Sequence, residues 1–190
     1  MKTGLFFGSF NPVHMGHLMI ANYMIEYTDL QQLWFVVSPQ NPLKKKHTLL
    51  NDYERLIMLE YAIEGEKRFE ACDAEFRMPK PSYTIDTLTY LKELHPSREF
   101  VLIMGSDGLL TFNKWKNHKI IQEMYVRYVY PRPGYKPDPA DHPNMVLVDA
   151  PQIEISSTFI REAIRKNHNI QYFLPPKVYR HILKMHFYEK

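Results

Sequence analysis

Cysteine is all but missing from this chain. Cys72 is the single thiol in 190 residues, so no disulfide forms within it, and such usage fits a reducing cytoplasm. Long apolar runs are missing too. Nothing approaches membrane-spanning length, and the apolar stretch after Met1-Lys2-Thr3-Gly4 is too short for a secretory signal, so no membrane role is expected. Charge of one sign is scarce: 24 Lys and Arg against 21 Asp and Glu leave a formal +3. That excess is too small to argue for nucleic-acid binding, although it suits small anions. Glycine is scarce as well, with seven in all. Those near the first strand stand at 4, 8 and 16, which breaks the G-x-G-x-x-G spacing of a dinucleotide loop. Gly16 is followed by His17-Leu18, where a Walker loop needs lysine and then Ser or Thr. Internal repeats and low-complexity segments are absent. Hydrophobic residues at 45% and charged residues at 24% describe an ordinary globular composition, and the length predicts one domain over 1–190.

What is present begins at the first strand. Leu5-Phe6-Phe7 suits a buried strand and Leu18 to Met24 a packed helix, and between them lies Gly8-Ser9-Phe10-Asn11-Pro12-Val13-His14-Met15-Gly16-His17. Gly8 permits close backbone approach, Pro12 fixes a torsion, and Gly16 leaves room at the helix start. A helix start carries unpaired N–H groups and the positive dipole end, which favours phosphate. His14 and His17, three residues apart, can face one side and reach oxygens of one polyphosphate. Two other readings stay open on these residues alone: zinc, which lacks a nearby Cys or a third ligand at metal-like spacing, and a pair of ordinary loop histidines.

The rest of the chain alternates strand and helix. Strands are predicted at 33–37, 69–76, 100–104, 126–130 and 146–148; helices are predicted near 16–27, after Asn51 or Asp52, after Ser82 or Thr84, from about Ser156, and around Val178 to Met185. This predicts the α/β class, a Rossmann-like doubly wound parallel sheet with helices on both faces and ligand at the strand carboxyl ends. Candidate residues fall at those ends. Lys44-Lys45-Lys46-His47 follows the second strand, and suits either a solvated surface or a phosphate contact. Gly105-Ser106-Asp107-Gly108 closes the fourth, where Asp107 suits a helix cap or a sugar hydroxyl. Trp115 lies among polar residues, available to stack on a ring. Ser156, Ser157 and Thr158 open a helix, and Arg161 one turn on adds a guanidinium, a set that suits phosphate.

The stretch G-S-F-N-P-x-H-x-G-H resembles the signature of the nucleotidylyltransferase superfamily. Over nearly the full chain the sequence is similar to the nicotinate-nucleotide adenylyltransferase family: in Ile155-Ser156-Ser157-Thr158 with Arg161, in Pro81-Ser82-Tyr83-Thr84 with Asp86-Thr87, in Gly105-Ser106-Asp107 with Trp115, and in Tyr172-Phe173-Leu174-Pro175 with Val178. The resemblance implies transfer of AMP from ATP to nicotinate mononucleotide, with Mg2+, in NAD biosynthesis. It implies that His14, His17 and Arg161 hold the ATP phosphates and that Gly8, Ser9, Phe10, Ser156, Ser157, Thr158 and Gly105 line the ATP side. It places Asn11, Lys44, Ser82, Tyr83, Thr84, Asp107 and Trp115 on the mononucleotide side, with Trp115 stacking on the nicotinate ring. Two positions depart from the family pattern: Phe7 replaces a glycine, and Leu43 replaces a histidine. The partners expected are these two nucleotides, with no nucleic acid; a homo-oligomer is left open.

Overall fold

The apolar runs become strands whose alternate residues enter two separate cores. A computed structural model describes residues 1–39, 49–135 and 137–189. Lys44 and its neighbours, expected near the ligand, lie outside the described residues. The strands are β1 (Lys2–Gly8), β2 (Gln32–Val37), β3 (Phe69–Cys72), β4 (Glu99–Gly105), β5 (Arg127–Tyr130) and β6 (Met145–Leu147). They form one sheet in the order β3-β2-β1-β4-β5-β6, with every pairing parallel. The helices are α1 (Met15–Tyr27), α2 (Asp52–Ile63), α3 (Thr84–Leu94), the single turn α4 (Ser106–Leu109), α5 (His118–Met124), α6 (Ser157–Arg165) and α7 (Pro176–Met185).

Period-two alternation divides the strand side chains between the two faces. Phe6, Leu33, Phe35, Val37, Val101 and Ile103 face α1, α2, α6 and α7, meeting Met24, Met58, Ile160 and Ile182. Leu5, Trp34, Val36, Leu102, Met104 and Val129 face α3 and α5, meeting Leu88, Leu91 and Ile121. Full burial of each such side chain contributes roughly 1.5–3 kcal/mol, so the doubly covered central strands carry much of the apolar stabilisation. This is the doubly wound arrangement expected from the sequence.

Three local expectations change. The strand predicted over 69–76 stops at Cys72, and Ala74–Arg77 forms a 3-10 turn. Glu75 there is buried, accepting bonds from Ser82 Oγ (2.6 Å) and Thr87 Oγ1 (2.9 Å), which draws the chain away from the sheet edge. The N-cap of α3 is Tyr83, not Ser82 or Thr84, and it makes no side-chain cap bond, because the Ser82 hydroxyl is committed to Glu75. The last strand is shifted by one residue, to 145–147. Elsewhere the caps follow the sequence: Asn51 accepts from the Tyr53 N–H at 2.9 Å, and Ser156 from the Phe159 N–H at 3.1 Å.

The order matters for function. Sequence-adjacent strands run outward from β1 in one direction and from β4 in the other, so the crossovers diverge between these central strands and open a crevice at their carboxyl ends. Among the described residues no helix is long and apolar enough to cross a membrane.

Candidate active site

Gly8 ends β1, and a Cβ there would stand 2.8 Å from the Phe10 ring, so only glycine lets that ring fold back under the loop. Phe10 takes a left-handed backbone (φ 43°), rare for an aromatic residue, and is held there by ring contacts with Phe6, Phe35 and His17. The turn thus aims the next residues at the start of α1. His14, at the N-cap position, is buried, and its ring stacks on that of His17 with centroids 3.7 Å apart. The His14 N–H donates to His17 Nδ1 at 3.2 Å. In the neutral ring the His17 proton therefore sits on Nε2.

From the other side of the crevice α6 brings its first turn. Ser157 Oγ donates to the Pro12 carbonyl at 2.9 Å, docking α6 on the loop between β1 and α1. Arg161 donates through one terminal nitrogen to the Asn11 carbonyl (2.8 Å) and through the other to Thr158 Oγ1 (3.2 Å). Its buried Nε meets no partner among the described residues, so the guanidinium keeps donor capacity for a ligand. The resulting cleft, about 440 Å³, is lined by Gly8, Ser9, Phe10, Asn11, His14, His17, Ser156, Ser157, Thr158 and Arg161. All ten are residues the sequence nominated, and Asn11, expected on the mononucleotide side, stands here among those expected to line the ATP side.

The remaining nominations lie apart from this lining. Gly105 and Asp107 sit at the end of β4 beside Arg132, with Asp107 Oδ1 4.0 Å from Arg132 Nε. A Cβ on Gly105 would lie 2.5 Å from Asp107 Oδ1 and 2.9 Å from Arg132 Cγ, so glycine permits that approach. Tyr83 and Trp115 are half-buried against the second core, with Trp115 5.4 Å from Phe112, so packing needs this tryptophan more than its polar neighbours suggest. Lys116 spans the two, over the Tyr83 ring at 4.8 Å and ion-paired with Asp86 at 2.8 Å. Thr84 is the first residue of α3, at the same carboxyl edge of the sheet. Ser82 is buried on Glu75 and its oxygen is taken.

Several residues that shape the site carry no motif. Arg132 lines the cleft, with its guanidinium donating to the Ile153 carbonyl at 3.1 Å. Arg55, fully buried on α2, clasps the Ser9 carbonyl at 2.5 Å and the Ser38 carbonyl at 2.9 Å. Tyr188 reaches Asn11 from beyond the last helix. Among the described residues no group of three or more His, Cys, Asp or Glu is placed to hold a metal, so the two histidines have no third protein ligand there.

Burial, with the nearby Arg132 charge as a lesser cause, pushes the His14 imidazole down to about 3. Near neutral pH His14 is therefore a neutral donor rather than a cation. The unfolded chain titrates this group near 6.5 and so binds more protons than the folded one below that pH. Its contribution to stability is full above pH 6.5 and is lost as the pH falls from there toward 3. Between pH 6.5 and 5 the loss should be roughly 1 to 2 kcal/mol. Urea unfolding of the parent and of His14→Gln at both values should differ in pH slope by that amount; equal slopes would contradict the assignment.

A glycine-bearing loop at the end of the first strand, two stacked histidines and an arginine from a late helix thus line one cleft on an α/β sheet. The model of the cytidylyltransferase-like family matches residues 5–163. A protein of Flavobacterium johnsoniae, named a probable nicotinate-nucleotide adenylyltransferase, is 51% identical over 193 residues, covering all of both chains. One of Cytophaga hutchinsonii with the same name is 49% identical, over 99% of this chain and 98% of its own. The solved nicotinic acid mononucleotide adenylyltransferase of Plasmodium falciparum, complexed with NaAD, superposes with a TM-score of 0.85 over 99% of this chain and 97% of its own, at 22% identity. That likeness is one of fold. The chain belongs to the cytidylyltransferase-like family and, within it, to the nicotinate-nucleotide adenylyltransferases.

Proposed function

We propose that this enzyme transfers AMP from ATP to nicotinate mononucleotide, releasing pyrophosphate and forming nicotinate adenine dinucleotide for NAD biosynthesis in the cytoplasm. The observation that carries this reading is the convergence of His14, His17, Arg161, Ser157 and Thr158 on one cleft at the end of β1, closed on its far side by Tyr130 to Arg132 at the end of β5. The shared name of the full-length relatives supports the choice of substrates.

In the reaction an oxygen of the mononucleotide phosphate attacks the α-phosphorus of ATP. A new P–O bond forms, the bond from that phosphorus to the bridging oxygen of the β-phosphate breaks, and the electron pair leaves with pyrophosphate. The attacking phosphate is already an anion, so no serine, cysteine or general base is required, and the histidines act as donors toward developing charge. Positioning the two reactants in line supplies about 7–11 kcal/mol of barrier lowering, and a preorganised donor about 10²–10³ in rate. Arg161, although burial lowers its pKa, remains a cation and meets the triphosphate with His14, His17 and the hydroxyls of α6. On the other side Asp107 faces the ribose, Trp115 stacks on the nicotinate ring, and Tyr83 and Thr84 present the start of α3 to its carboxylate, with Lys44 for the mononucleotide phosphate. No carboxylate lines the cleft among the described residues, so a Mg2+ serving this reaction would be carried by the ATP rather than held by a protein carboxylate there. Such an ion offsets charge on the departing pyrophosphate.

Pyrophosphate release with ATP, Mg2+ and a panel of acceptors tests the reading. Nicotinate mononucleotide should exceed nicotinamide mononucleotide by at least about tenfold in kcat/KM, since a site built for a buried carboxylate leaves donors unpaired with the amide. Phosphopantetheine should give no turnover. Equal values for acid and amide, or none with the acid, would refute it.

A further inference from the structure

Asn11 is the joint of the phosphate loop, and what holds it comes from the far end of the chain. It is 3% exposed. Its carbonyl receives Arg161 at 2.8 Å, while its side-chain Oδ1 accepts the Leu50 N–H at 3.2 Å and the Tyr188 hydroxyl at 2.8 Å. Tyr188 lies 177 residues away in sequence, past the end of α7, in a left-handed backbone (φ 68°) uncommon for a bulky side chain. Its ring packs on the first core, and its oxygen lies in the fields of both Arg161 and Arg55. It does not line the cleft.

We propose that Tyr188 is a positioning residue of the ATP site: its O–H fixes the Asn11 side chain, and Asn11 in turn seats the Arg161 guanidinium that meets the triphosphate. The Tyr188 and Leu50 donors hold the Asn11 side chain and through it tether the residue whose backbone carbonyl receives Arg161. A phenol is suited to the task. It donates one bond without adding charge between two guanidiniums, and burial raises its pKa so that it keeps its proton wherever the enzyme works. A carboxylate in its place would pair with Arg161 and compete with phosphate.

This inference rests on the ATP reading of the cleft, and the test separates the two. Binding of ATP with Mg2+, without acceptor, is titrated calorimetrically for the parent, Tyr188→Phe, Asn11→Ala and the double variant; KM for each substrate and Tm are measured alongside. Loss of one hydrogen bond predicts an ATP Kd raised about three- to tenfold in Tyr188→Phe, with KM for nicotinate mononucleotide and Tm little changed. If Tyr188 acts through Asn11, the double variant binds ATP no more weakly than Asn11→Ala alone. A Tyr188→Phe protein that binds ATP like the parent, loses both substrates alike, or fails to fold overturns the proposal, as does an additive double variant. A parent that binds ATP but releases no pyrophosphate with nicotinate mononucleotide refutes the proposed function and leaves the Tyr188 result standing.

Discussion

His17→Ala is expected to lower kcat by about 10²–10³ while leaving the fold intact, the cost of removing one preorganised donor from a developing phosphate charge. The preorganisation is visible in the ring's surroundings. Nδ1 is engaged by the His14 N–H, one face lies on His14, and the edges meet Phe6 and Phe10 at 6.1 and 5.0 Å between centroids. The orientation of the ring, and with it the direction of Nε2, is therefore fixed before ATP arrives. His17→Asn separates this role from a structural one. Its side-chain oxygen can replace Nδ1 as acceptor for the helix start, but the side chain stops short of Nε2. It should be folded at least as stably as His17→Ala and just as slow, with KM for the mononucleotide near the parent value. Steady-state kinetics showing either variant within tenfold of the parent would remove His17 from the reaction.

The residues whose placement was legible in sequence are those positioned by their neighbours along the chain. Gly8 to His17 is one strand end, one turn and one helix start, and its chemistry follows from local geometry; Ser156 to Arg161 is one helical turn. The stacking of His14 on His17 likewise follows from their spacing. What stayed hidden depends on partners remote in sequence. Arg55 sits one residue before Leu56 on an amphipathic helix, where an arginine ordinarily faces water, and nothing nearby announces that it meets carbonyls 16, 17 and 46 residues away. Tyr188 looks like the frayed end of a helix. Ser82 illustrates the converse error, because a hydroxyl before a helix reads as a cap or a ligand contact, yet a buried Glu75 seven residues earlier takes it. For Trp115 the polar residues around it hid only the packing, the contact with Phe112 that half-buries it.

Arg55 carries the second large expectation. It is fully buried, and its five donor hydrogens are distributed over four carbonyls and one carboxylate: Leu50 (3.0 Å), Ser9 (2.5 Å), Ser38 (2.9 Å), Pro39 (3.2 Å) and Asp52 Oδ1 (2.7 Å). Burial alone disfavours the cation and lowers its pKa, and the Asp52 partner opposes that loss. A charge so placed is a weak source of net stability while intact, but removing it strands everything it serves. Arg55→Leu leaves four acceptors without a donor, each costing about 1–3 kcal/mol where water cannot reach, while Asp52 retains Lys80 at 2.9 Å. Partial rehydration returns some of this, so the expected loss is at least about 4 kcal/mol, much of the 5–15 kcal/mol available to a domain. Urea denaturation at 25 °C measures it, and a loss below about 1 kcal/mol would show that the carbonyls find other donors. Arg55→Lys should recover less than half, because an ammonium lacks the planar fork that reaches Ser9 and Pro39 together. The consequence extends to catalysis. Ser9 belongs to the phosphate loop, whereas Ser38, Pro39 and Leu50 are the flanks of the stretch that contains Lys44. One guanidinium thus ties the loop after β1 to both flanks of that stretch, so if the proposed roles of that loop and of Lys44 hold, a folded Arg55→Lys should weaken both substrates together, unlike Tyr188→Phe, which should weaken ATP alone.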